Sequence, residues 1–442
     1  MFTLPAYVKS ALDKLHECGF EAYIVGGCVR DLLLGKEPND YDMTTSALPA
    51  QTEAVFAAHP VIKTGIKHGT VTVMMDGEPL EITTYRVDGE YNDSRHPESV
   101  RFTRSLKEDS ARRDFTVNAM AYSPQSGVMD YHGGRADLEA GVIRCVGDAR
   151  LRFKEDALRI IRALRFSSQL GFEIEESTEK AAFELAPLLK EVSYERLQAE
   201  LIKLLCGKDA KRVIIKYVQI LSQFIPELAP MENFDQKNIH HIHDVLTHSA
   251  VTVENVPGVP HLRLAALLHD IGKPATFTVD ENGVGHFYSH AKESVRLAEE
   301  ILTRLRFSNA QKQRIITLVK WHDVPISGEE KSVKKALGKL GEELFFDLTA
   351  LKRADNLAQN PLYHSRQAEI AKLEEVAKGV LEQEQCFSLK DLAINGKDLM
   401  EIGFPQGKAI GKALGALLEA VIEEQVANDK EALCDFAAAK LK

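Results

Sequence analysis

Apolar and polar residues follow two different periods along this chain of 442 residues. Short β-branched runs bounded by Gly, Pro or Asp predict strands at EAYIVGG, VTVMMDG, PLEITTYRV and VRFTR. From about residue 150 onward, segments such as TEKAAFELAPLLKEV and VRLAEEILTRLRF repeat apolar residues at helical spacing. The pattern predicts the α+β class, with a mixed sheet in an N-terminal domain and an all-α remainder.

One predicted helix carries an unusual row of charges. The segment RFKEDALRIIRALRF, residues 152–166, has apolar residues at i, i+3, i+4 and i+7 and predicts a single helix. Its polar side carries a carboxylate followed by guanidiniums, at Asp156, Arg159, Arg162 and Arg165. A solvated helix usually mixes charge signs, whereas no acidic residue follows these arginines before Glu173. The row is therefore a candidate functional feature; the alternative is a solvated helix whose acidic start favours the helix dipole.

Composition limits the classes of partner. The formal net charge is −10, so a nucleic-acid partner requires a local basic surface. Six scattered cysteines without a C-x-x-C pair indicate reduced thiols in a cytoplasmic protein and argue against a disulfide framework or a zinc ribbon. No apolar run reaches transmembrane length, and charges interrupt the N-terminus. We therefore expect an amphipathic first helix, no signal peptide and no membrane partner.

Two N-terminal stretches offer groups that bind phosphate. YIVGGCVRDLLLG predicts a strand, a Gly26–Gly27 turn and a helix from about Val29. Paired glycines let backbone N–H groups approach a phosphate, and Arg30 could hold the same anion. The alternative is a plain tight turn.

The second stretch, ARRDFTVNAMAY, adds fork-shaped donors in Arg112 and Arg113. Asp114 or Asn118 could form a hydrogen bond with a ribose hydroxyl. The alternative is an exposed charged turn before a buried strand.

Carboxylates near the glycine turn suit a metal site. In a strand, Asp40 and Asp42 of the DYD triplet point to the same face, where both can bind Mg²⁺. Glu81, on a predicted strand, is a candidate third carboxylate. Three carboxylates beside a phosphate-binding turn suit two-metal phosphoryl transfer, although a short Asp-x-Asp also occurs in ordinary loops.

The second half of the chain is rich in histidine. Ligand-type residues follow one another as His248, His269, Asp270, His290, His322 and Asp355. The order resembles the HD metal-dependent phosphohydrolase superfamily, and such ligands suit Mn, Fe, Ni or Mg in one or two sites. The upstream ligand is open, because His240, His241 and His243 compete with His248. The alternative is a structural unit that hydrolyses nothing.

Taken together, the N-terminal motifs resemble one family. Gly-Gly-x-Val-Arg-Asp, Asp-x-Asp, Arg-Arg-Asp-Phe-Thr-x-Asn-Ala and Glu-Asp-Ala-Leu-Arg-x-x-Arg-Ala-x-Arg-Phe occur in the order of the bacterial tRNA CCA-adding nucleotidyltransferases. The related bacterial poly(A) polymerases share this pattern. The resemblance implies that Asp40 and Asp42 bind Mg²⁺. The nucleotide-binding residues that it implies are Gly27, Arg30, Arg113, Asp156, Arg159, Arg162 and Arg165.

The resemblance also explains the row of charges. The family has no nucleic-acid template, so protein side chains choose the incoming base. A carboxylate accepts from an exocyclic amino group and a guanidinium donates to ring acceptors, so Asp156 and Arg159 can mimic a Watson–Crick partner. Arg162 and Arg165 would face phosphate. The polar stretch 86–106 is expected to be mobile, and a flexible segment there accompanies the family's switch from C to A addition.

The predicted domains are a nucleotidyltransferase domain at 1–148, a helical nucleotide- and RNA-binding neck at 149–238, an HD metal-binding domain at 239–375, and a helical tRNA-binding tail at 376–442. The predicted function is Mg²⁺-dependent addition of CCA to tRNA 3′ ends from CTP and ATP, in the cytoplasm. A second divalent metal at the HD site would support phosphohydrolase activity. Alternatives are poly(A), CC-only or A-only addition, a phosphohydrolase acting on RNA 3′ ends or nucleotides, and an RNA-binding or chaperone-like protein with inactive sites.

Overall fold

The computed structural model describes residues 2–63, 65–89 and 100–441. Its internal contacts separate two compact units, Met1–Pro226 and Glu227–Lys442. The first unit contains a mixed sheet with helices, and the second is almost entirely helical. This arrangement confirms the predicted α+β class.

The strands of the first unit include all four runs predicted from the sequence. They are β1 (Ala22–Val25), β2 (Asp42–Thr45), β3 (Val61–Ile62), β4 (Thr70–Met75), β5 (Glu78–Thr84), β6 (Arg86–Asp88), β7 (Val100–Phe102), β8 (Ala121–Ser123), β9 (Gly127–Met129), β10 (Val142–Ile143) and β11 (Glu173–Ile174). Seven of them form one sheet in the order β3-β4-β5-β2-β1-β8-β9. β6 pairs with β7, and β10 pairs in parallel with β11.

The turn between β4 and β5 follows from two residues. Met75 lies opposite Glu78, so Asp76 and Gly77 alone connect the strands. Both residues have positive φ, 52° and 88°. A type I′ turn requires this conformation, and Asp-Gly is one of its favoured pairs.

The parallel pairing of β2 with β5 brings two motifs together. Its register places Asp42 beside Glu81, and paired residues of neighbouring strands project to the same face of a sheet. The expectation that Asp40 and Asp42 share one face of a strand is wrong, because β2 begins only at Asp42. Asp40 lies in the segment before the strand.

Helices cover the sheet and form the remainder of the first unit. They are α1 (Ala6–Glu17), α2 (Gly27–Leu33), α3 (Pro49–Val55), α4 (Leu106–Ala111), α5 (Gly134–Ala140), α6 (Ala149–Glu155), α7 (Leu158–Leu170), α8 (Glu176–Leu185), α9 (Tyr194–Leu205), α10 (Ala210–Lys216) and α11 (Val218–Leu221). Short 3₁₀ turns occur at Ile66–His68, Thr116–Asn118 and Ala186–Glu191. α1 is amphipathic as predicted, and its buried residues are Val8, Ala11, Leu12 and Leu15.

The prediction of one helix over 152–166 is wrong. α6 ends at Glu155, Asp156 is extended with φ −145° and ψ 103°, and α7 begins at Leu158. The Asp156 side chain accepts a hydrogen bond from the Leu158 N–H at 3.1 Å, which supports the start of the second helix. The apolar periodicity is unaffected because Ile160, Ile161 and Leu164 are fully buried.

The second unit consists of helices and one two-stranded ribbon. The helices are α12 (Val245–Asn255), α13 (Pro260–Leu268), α14 (Lys273–Thr276), α15 (His290–Arg304), α16 (Asn309–Trp321), α17 (Glu330–Leu340), α18 (Glu342–Leu357), α19 (Arg366–Glu382), α20 (Gly396–Glu401), α21 (Lys408–Ile422) and α22 (Lys430–Lys440). The ribbon pairs β12 (Thr278–Val279) with β13 (Gly285–His286). The 3₁₀ turns are Pro226–Met231, at the boundary of the units, and Pro361–Tyr363.

Two further expectations concern particular segments. Residues 90–99 of the stretch 86–106, predicted to be mobile, lie outside the described residues. Within the described ranges, the structure contains no helix with the length and apolar character needed to cross a membrane.

Candidate functional site

The first group of candidate residues is acidic and lies at the β2–β5 pair. Asp42 and Glu81 are both exposed on one face of the sheet, and Asp40 lies close enough to act on Asp42 through its charge. Partial removal from water by the surrounding protein is the main effect that raises the pKa of Asp42, and the negative charges of Asp40 and Glu81 raise it further. The positive charge of Arg113 acts in the opposite direction. Adjacent carboxylates that repel one another and remain accessible are a chemically suitable donor set for Mg²⁺.

The glycine turn lies next to a buried arginine. Gly26 has φ 85°, and a Cβ atom there would lie 3.3 Å from the Arg113 guanidinium. α2 begins at Gly27, two residues before the expected start. The Cys28 thiol donates to the Val25 carbonyl at 3.4 Å, and burial raises the pKa of this thiol to about 12. The turn therefore requires glycine and places an inert thiol beside it.

Arg113 is a charged group of this region with an unsatisfied donor. Its guanidinium is 3.8 Å from the Asp109 carboxylate, and its Nε is buried without a hydrogen-bond partner. Burial lowers the pKa of Arg113, although Asp109 opposes the change. A buried donor without an acceptor is costly, and the Nη1 of the same guanidinium lies at the glycine turn.

A hydrogen-bonded chain connects the glycine turn to α7. Arg30 donates to Asn118 Oδ1 at 2.8 Å, and Asn118 donates to Asp114 at 3.3 Å. Arg162 donates to Asp114 Oδ2 through Nε and Nη2, at 2.9 and 2.6 Å. Burial alone would raise the pKa of Asp114, but Arg162 holds it below its usual value. Asp114 thus serves as an anchor for Arg162.

The other arginines of the row also have partners. Arg159 donates to Glu155 at 2.6 Å and to the Arg112 carbonyl at 3.0 Å. Arg165 lies 2.9 Å from Glu200 in an ionic contact whose atoms are not aligned as a hydrogen bond. Burial lowers the pKa of Arg165 to about 10.

Glu155 lies four residues before Arg159 in the same stretch of sequence, whereas Asp114 and Glu200 come from other segments, so the sequence did not reveal that they pair with α7.

Asp156 and Phe166 complete this region. The Asp156 carboxylate accepts a hydrogen bond from Arg196 at 2.7 Å. The Phe166 ring lies under three guanidiniums, with Cζ-to-centroid distances of 3.9 Å for Arg165, 5.2 Å for Arg30 and 5.4 Å for Arg162. Cation–π attraction of this kind concentrates positive charge around one aromatic ring.

The histidine-rich residues converge in the second unit. Nε2 of His248 lies 3.0 Å from Asp355 and 3.4 Å from Asp270, and Nε2 of His269 lies 3.2 Å from Asp270. On the other oxygen of Asp270, His290 and His322 lie at 3.4 and 3.6 Å. Among the described residues, two groups have ligand atoms within 4.8 Å of one another, and Asp270 belongs to both.

The four histidines are oriented alike. Each Nδ1 faces a backbone carbonyl, at distances of 3.4 Å for His248, 2.8 Å for His269, 3.0 Å for His290 and 2.6 Å for His322. A carbonyl only accepts, so Nδ1 carries the proton and Nε2 offers its lone pair to the cluster. The buried Nε2 of His269 has no hydrogen-bond partner. This donor set fits one or two divalent metal ions.

A lysine supplies positive charge inside this cluster. Lys273 Nζ lies 2.7 Å from Asp270 and donates to Gln236 at 2.9 Å. Burial alone would raise the pKa of Asp270, but His269 and Lys273 hold it well below its usual range. Of the competing histidines, His241 packs 5.3 Å from the His248 ring without joining either metal-ligand group.

Known proteins resemble the chain over nearly its whole length. A CCA-adding enzyme of Lactobacillus delbrueckii subsp. bulgaricus is 35% identical over 435 residues, which cover 97% of this chain and 96% of the relative. The chain belongs to the CCA-adding enzymes. A second such enzyme, from Leuconostoc mesenteroides, is 52% identical over 201 residues, and this match spans 46% of the chain and 50% of the relative.

Structures and family profiles agree with this membership. The crystal structure of the Bacillus stearothermophilus CCA-adding enzyme in complex with CTP matches with a TM-score of 0.76 and 31% identity, covering 98% of this chain and 97% of that one. The "Poly A polymerase head domain" matches residues 22–144, the "Probable RNA and SrmB- binding site of polymerase A" matches 171–232, and "tRNA nucleotidyltransferase domain 2" matches 280–437. The prediction of an enzyme of this family is confirmed, whereas the HD activity stays a prediction.

Sequence reasoning missed several residues that position the site of this CCA-adding enzyme. Arg196 and Glu200 lie one turn apart on α9, so one helix face contacts both Asp156 and the guanidinium row. Their i, i+4 spacing with opposite charge resembles an ordinary surface pair. Only the low exposure of Glu200, 6%, distinguishes it.

We expect Glu200→Gln to lower the free energy of unfolding by about 3–5 kcal/mol, because it leaves the buried Arg165 without its countercharge. Urea denaturation followed by circular dichroism measures the change. The control is Glu176→Gln, which removes the exposed pair with Lys180 and should cost at most about 1 kcal/mol. Equal effects of the two substitutions would contradict the assignment of a buried charge network.

Proposed function

We propose that this CCA-adding enzyme transfers nucleotides from CTP and ATP to the 3′ end of tRNA in the cytoplasm, with Asp40, Asp42 and Glu81 as the catalytic carboxylates. The observation that carries the proposal is the β2–β5 register, which sets Asp42 beside Glu81. All six cysteines are free, in keeping with a reducing compartment.

The reaction joins the tRNA 3′-oxygen to the α-phosphorus of the nucleotide and breaks its bond to pyrophosphate. Mg²⁺ on the carboxylates would neutralise the triphosphate and lower the pKa of the attacking hydroxyl. Gly27, Arg30 and Arg113 bind the phosphates in this scheme, and the unsatisfied Nε of Arg113 supports that role. The template-independent choice of base is assigned to α7 and the residue before it.

Asp156 and Arg159 are proposed to read the base. Asp156 is fixed at the helix break by the Leu158 N–H and by Arg196, and Arg159 is fixed by Glu155. Rigid donors and acceptors discriminate better than mobile ones, since their ordering cost is already met. Asp114, Arg162 and Arg165 provide the charged support behind them, and their part in nucleotide binding belongs to the same proposal.

The role proposed for each part of the chain follows the predicted domains. Residues 1–148 carry out nucleotidyl transfer, 149–238 bind nucleotide and RNA, 239–375 hold the HD metal site, and 376–442 bind tRNA. The β12–β13 ribbon and the HD histidines fall in the third of these segments.

Asp42→Ala should lower the rate of nucleotide addition by at least about 10³-fold, which corresponds to about 4 kcal/mol, while tRNA binding is retained. A gel assay of radiolabelled tRNA extension measures the rate, and filter binding measures affinity. Glu78→Ala is the control, because Glu78 lies on β5 three residues before Glu81, on the opposite face. A normal rate in Asp42→Ala would rule out this metal site.

Asp156→Ala should reduce the preference for CTP over UTP by about 1–3 kcal/mol, because uracil presents an acceptor where cytosine presents an amino donor. Single-nucleotide incorporation with each NTP measures the ratio of kcat/KM values. Arg165→Ala should instead raise KM for CTP and ATP alike. Full selectivity in Asp156→Ala would show that this side chain does not read the base.

A second activity, hydrolysis of phosphate esters at the HD site, is proposed because four Nε2 atoms and two carboxylates converge there. Neutral imidazoles and carboxylates on a divalent metal generate a nucleophilic water near neutral pH. Phosphomonoesters or 2′,3′-cyclic phosphates at RNA ends are the proposed substrates, since hydrolysis would expose the hydroxyl needed for addition.

Asp270→Ala should abolish this hydrolysis and remove at least one equivalent of bound metal, with CCA addition intact. Elemental analysis of purified protein and release of phosphate from adenosine 3′-monophosphate provide the two measurements. Asp280→Ala is the control, because its carboxylate contacts the half-buried His286 and lies in neither metal-ligand group. Wild-type protein that binds no metal beyond the Asp40–Asp42 site would identify the HD region as structural.

Incubating tRNA that lacks CCA with each nucleotide singly and together separates the alternative activities. Complete CCA in the sequenced products supports the main proposal, whereas a product that stops after two cytidines or extends with adenosine alone supports partial or poly(A) addition.

A further inference from the structure

A cavity of about 220 Å³ lies beside the histidine cluster in the second unit. His322 and Asp355 belong to its walls, so the metal-ligand cluster forms one side of the space. The opposite side comes from α19, through Arg366, Glu369 and Ile370. Two members of the cluster therefore border a space in which a ligand can lie.

Two cationic side chains line this cavity, and they differ in their partners. Lys352 donates to the carbonyls of His322 and Val324, at 2.6 and 2.8 Å, so its ammonium group is held by the chain itself. Arg366 is exposed, and within the described ranges its guanidinium forms no ion pair. Its neighbour Arg353, in contrast, pairs with Glu374 at 3.0 Å.

The volume of the cavity limits the size of the ligand that it can enclose. Its volume is below the range of about 300–1,000 Å³ usual for sites that enclose a whole drug-sized molecule. A phosphate with its sugar fits such a space, while the rest of a larger ligand stays outside. The apolar side chains of Ile326 and Leu373 provide a surface for the carbon skeleton of the sugar.

We propose that Arg366 binds the phosphate group of the HD-site ligand, and that the cavity between α19 and the histidine cluster receives a terminal ribose phosphate. The guanidinium fork matches phosphate oxygens in a bidentate manner. Arg366 positions the ester, and the cluster across the cavity faces the phosphorus. The role in hydrolysis rests on the proposed HD activity, whereas binding of the phosphate does not.

Glu369 provides an internal test of this assignment. It lies on the same helix three residues after Arg366 and lines the same cavity. Its negative charge repels a phosphate, so Glu369→Gln should strengthen binding where Arg366→Ala weakens it. Opposite responses from neighbouring residues cannot arise from a general loss of folding.

The experiment measures binding and hydrolysis separately in the intact protein. Calorimetric titration of EDTA-treated protein with adenosine 3′-monophosphate, and with a short oligoribonucleotide bearing a 3′-phosphate, gives affinity without turnover. Arg366→Ala should weaken binding of both ligands about tenfold, Arg366→Lys should recover part of the loss, and adenosine without phosphate should respond to neither substitution. Binding of the oligonucleotide alone would identify RNA ends as the source of the ribose phosphate.

In metal-loaded protein, Arg366→Ala should raise KM about tenfold with kcat unchanged. Lys378→Ala is the matched control, since Lys378 is exposed on the same helix and is absent from the cavity wall. Failure of the wild type to hydrolyse either ligand would refute the proposed HD activity and leave the binding result to decide the role of Arg366. Equal affinity of wild type and Arg366→Ala, or no binding by the wild type, would overturn the inference.

Discussion

The first unit depends on the pairing of α7 guanidiniums with carboxylates from distant segments. Arg162 is held by Asp114 of the head region, and Arg165 lies against Glu200 of α9. A buried arginine without a countercharge is strongly destabilising, so these contacts fix α7 between the sheet-bearing part and the helices that follow it. The position of α7 in the first unit thus depends on one set of charges. Asp156 and Arg159, which are proposed to read the base, are held by their own contacts with Arg196 and Glu155.

Local patterns predicted elements well but predicted their ends poorly. The β-branched runs bounded by Gly, Pro or Asp located β4 and β5, and the apolar period located α7, because these signals act within a few residues. The break at Asp156 could not be predicted in the same way. Its partner Arg196 lies in another helix. Local helix propensity depends only on nearby residues and therefore cannot predict such a contact. The placement of Asp40 in a strand was wrong for a related reason. The pairing of β2 with its neighbours, rather than the local sequence, sets where this strand begins.

The candidate sites show the same limit at the level of side chains. Residue types and their order brought His248, His269, Asp270 and Asp355 together as candidates, and the structure places them within one cluster. The choice of His248 over its three competitors required the packing of α12 against α18. The common orientation of the four histidine Nδ1 atoms depends on contacts with backbone carbonyls. The sequence does not show which carbonyl each side chain meets. Lys273 was missed because a lysine is seldom read as part of a metal-ligand set.

The parallel pairing of β2 with β5 has a consequence for how the protein is made. Parallel neighbours require a crossover connection, and here the intervening chain contains α3, β3 and β4. Contacts between segments so far apart form slowly, because loop-closure entropy opposes them until the pairing is complete. A ribosome that has released only the segment through β2 therefore presents Asp42 without Glu81. The two carboxylates therefore become neighbours only when the central sheet assembles.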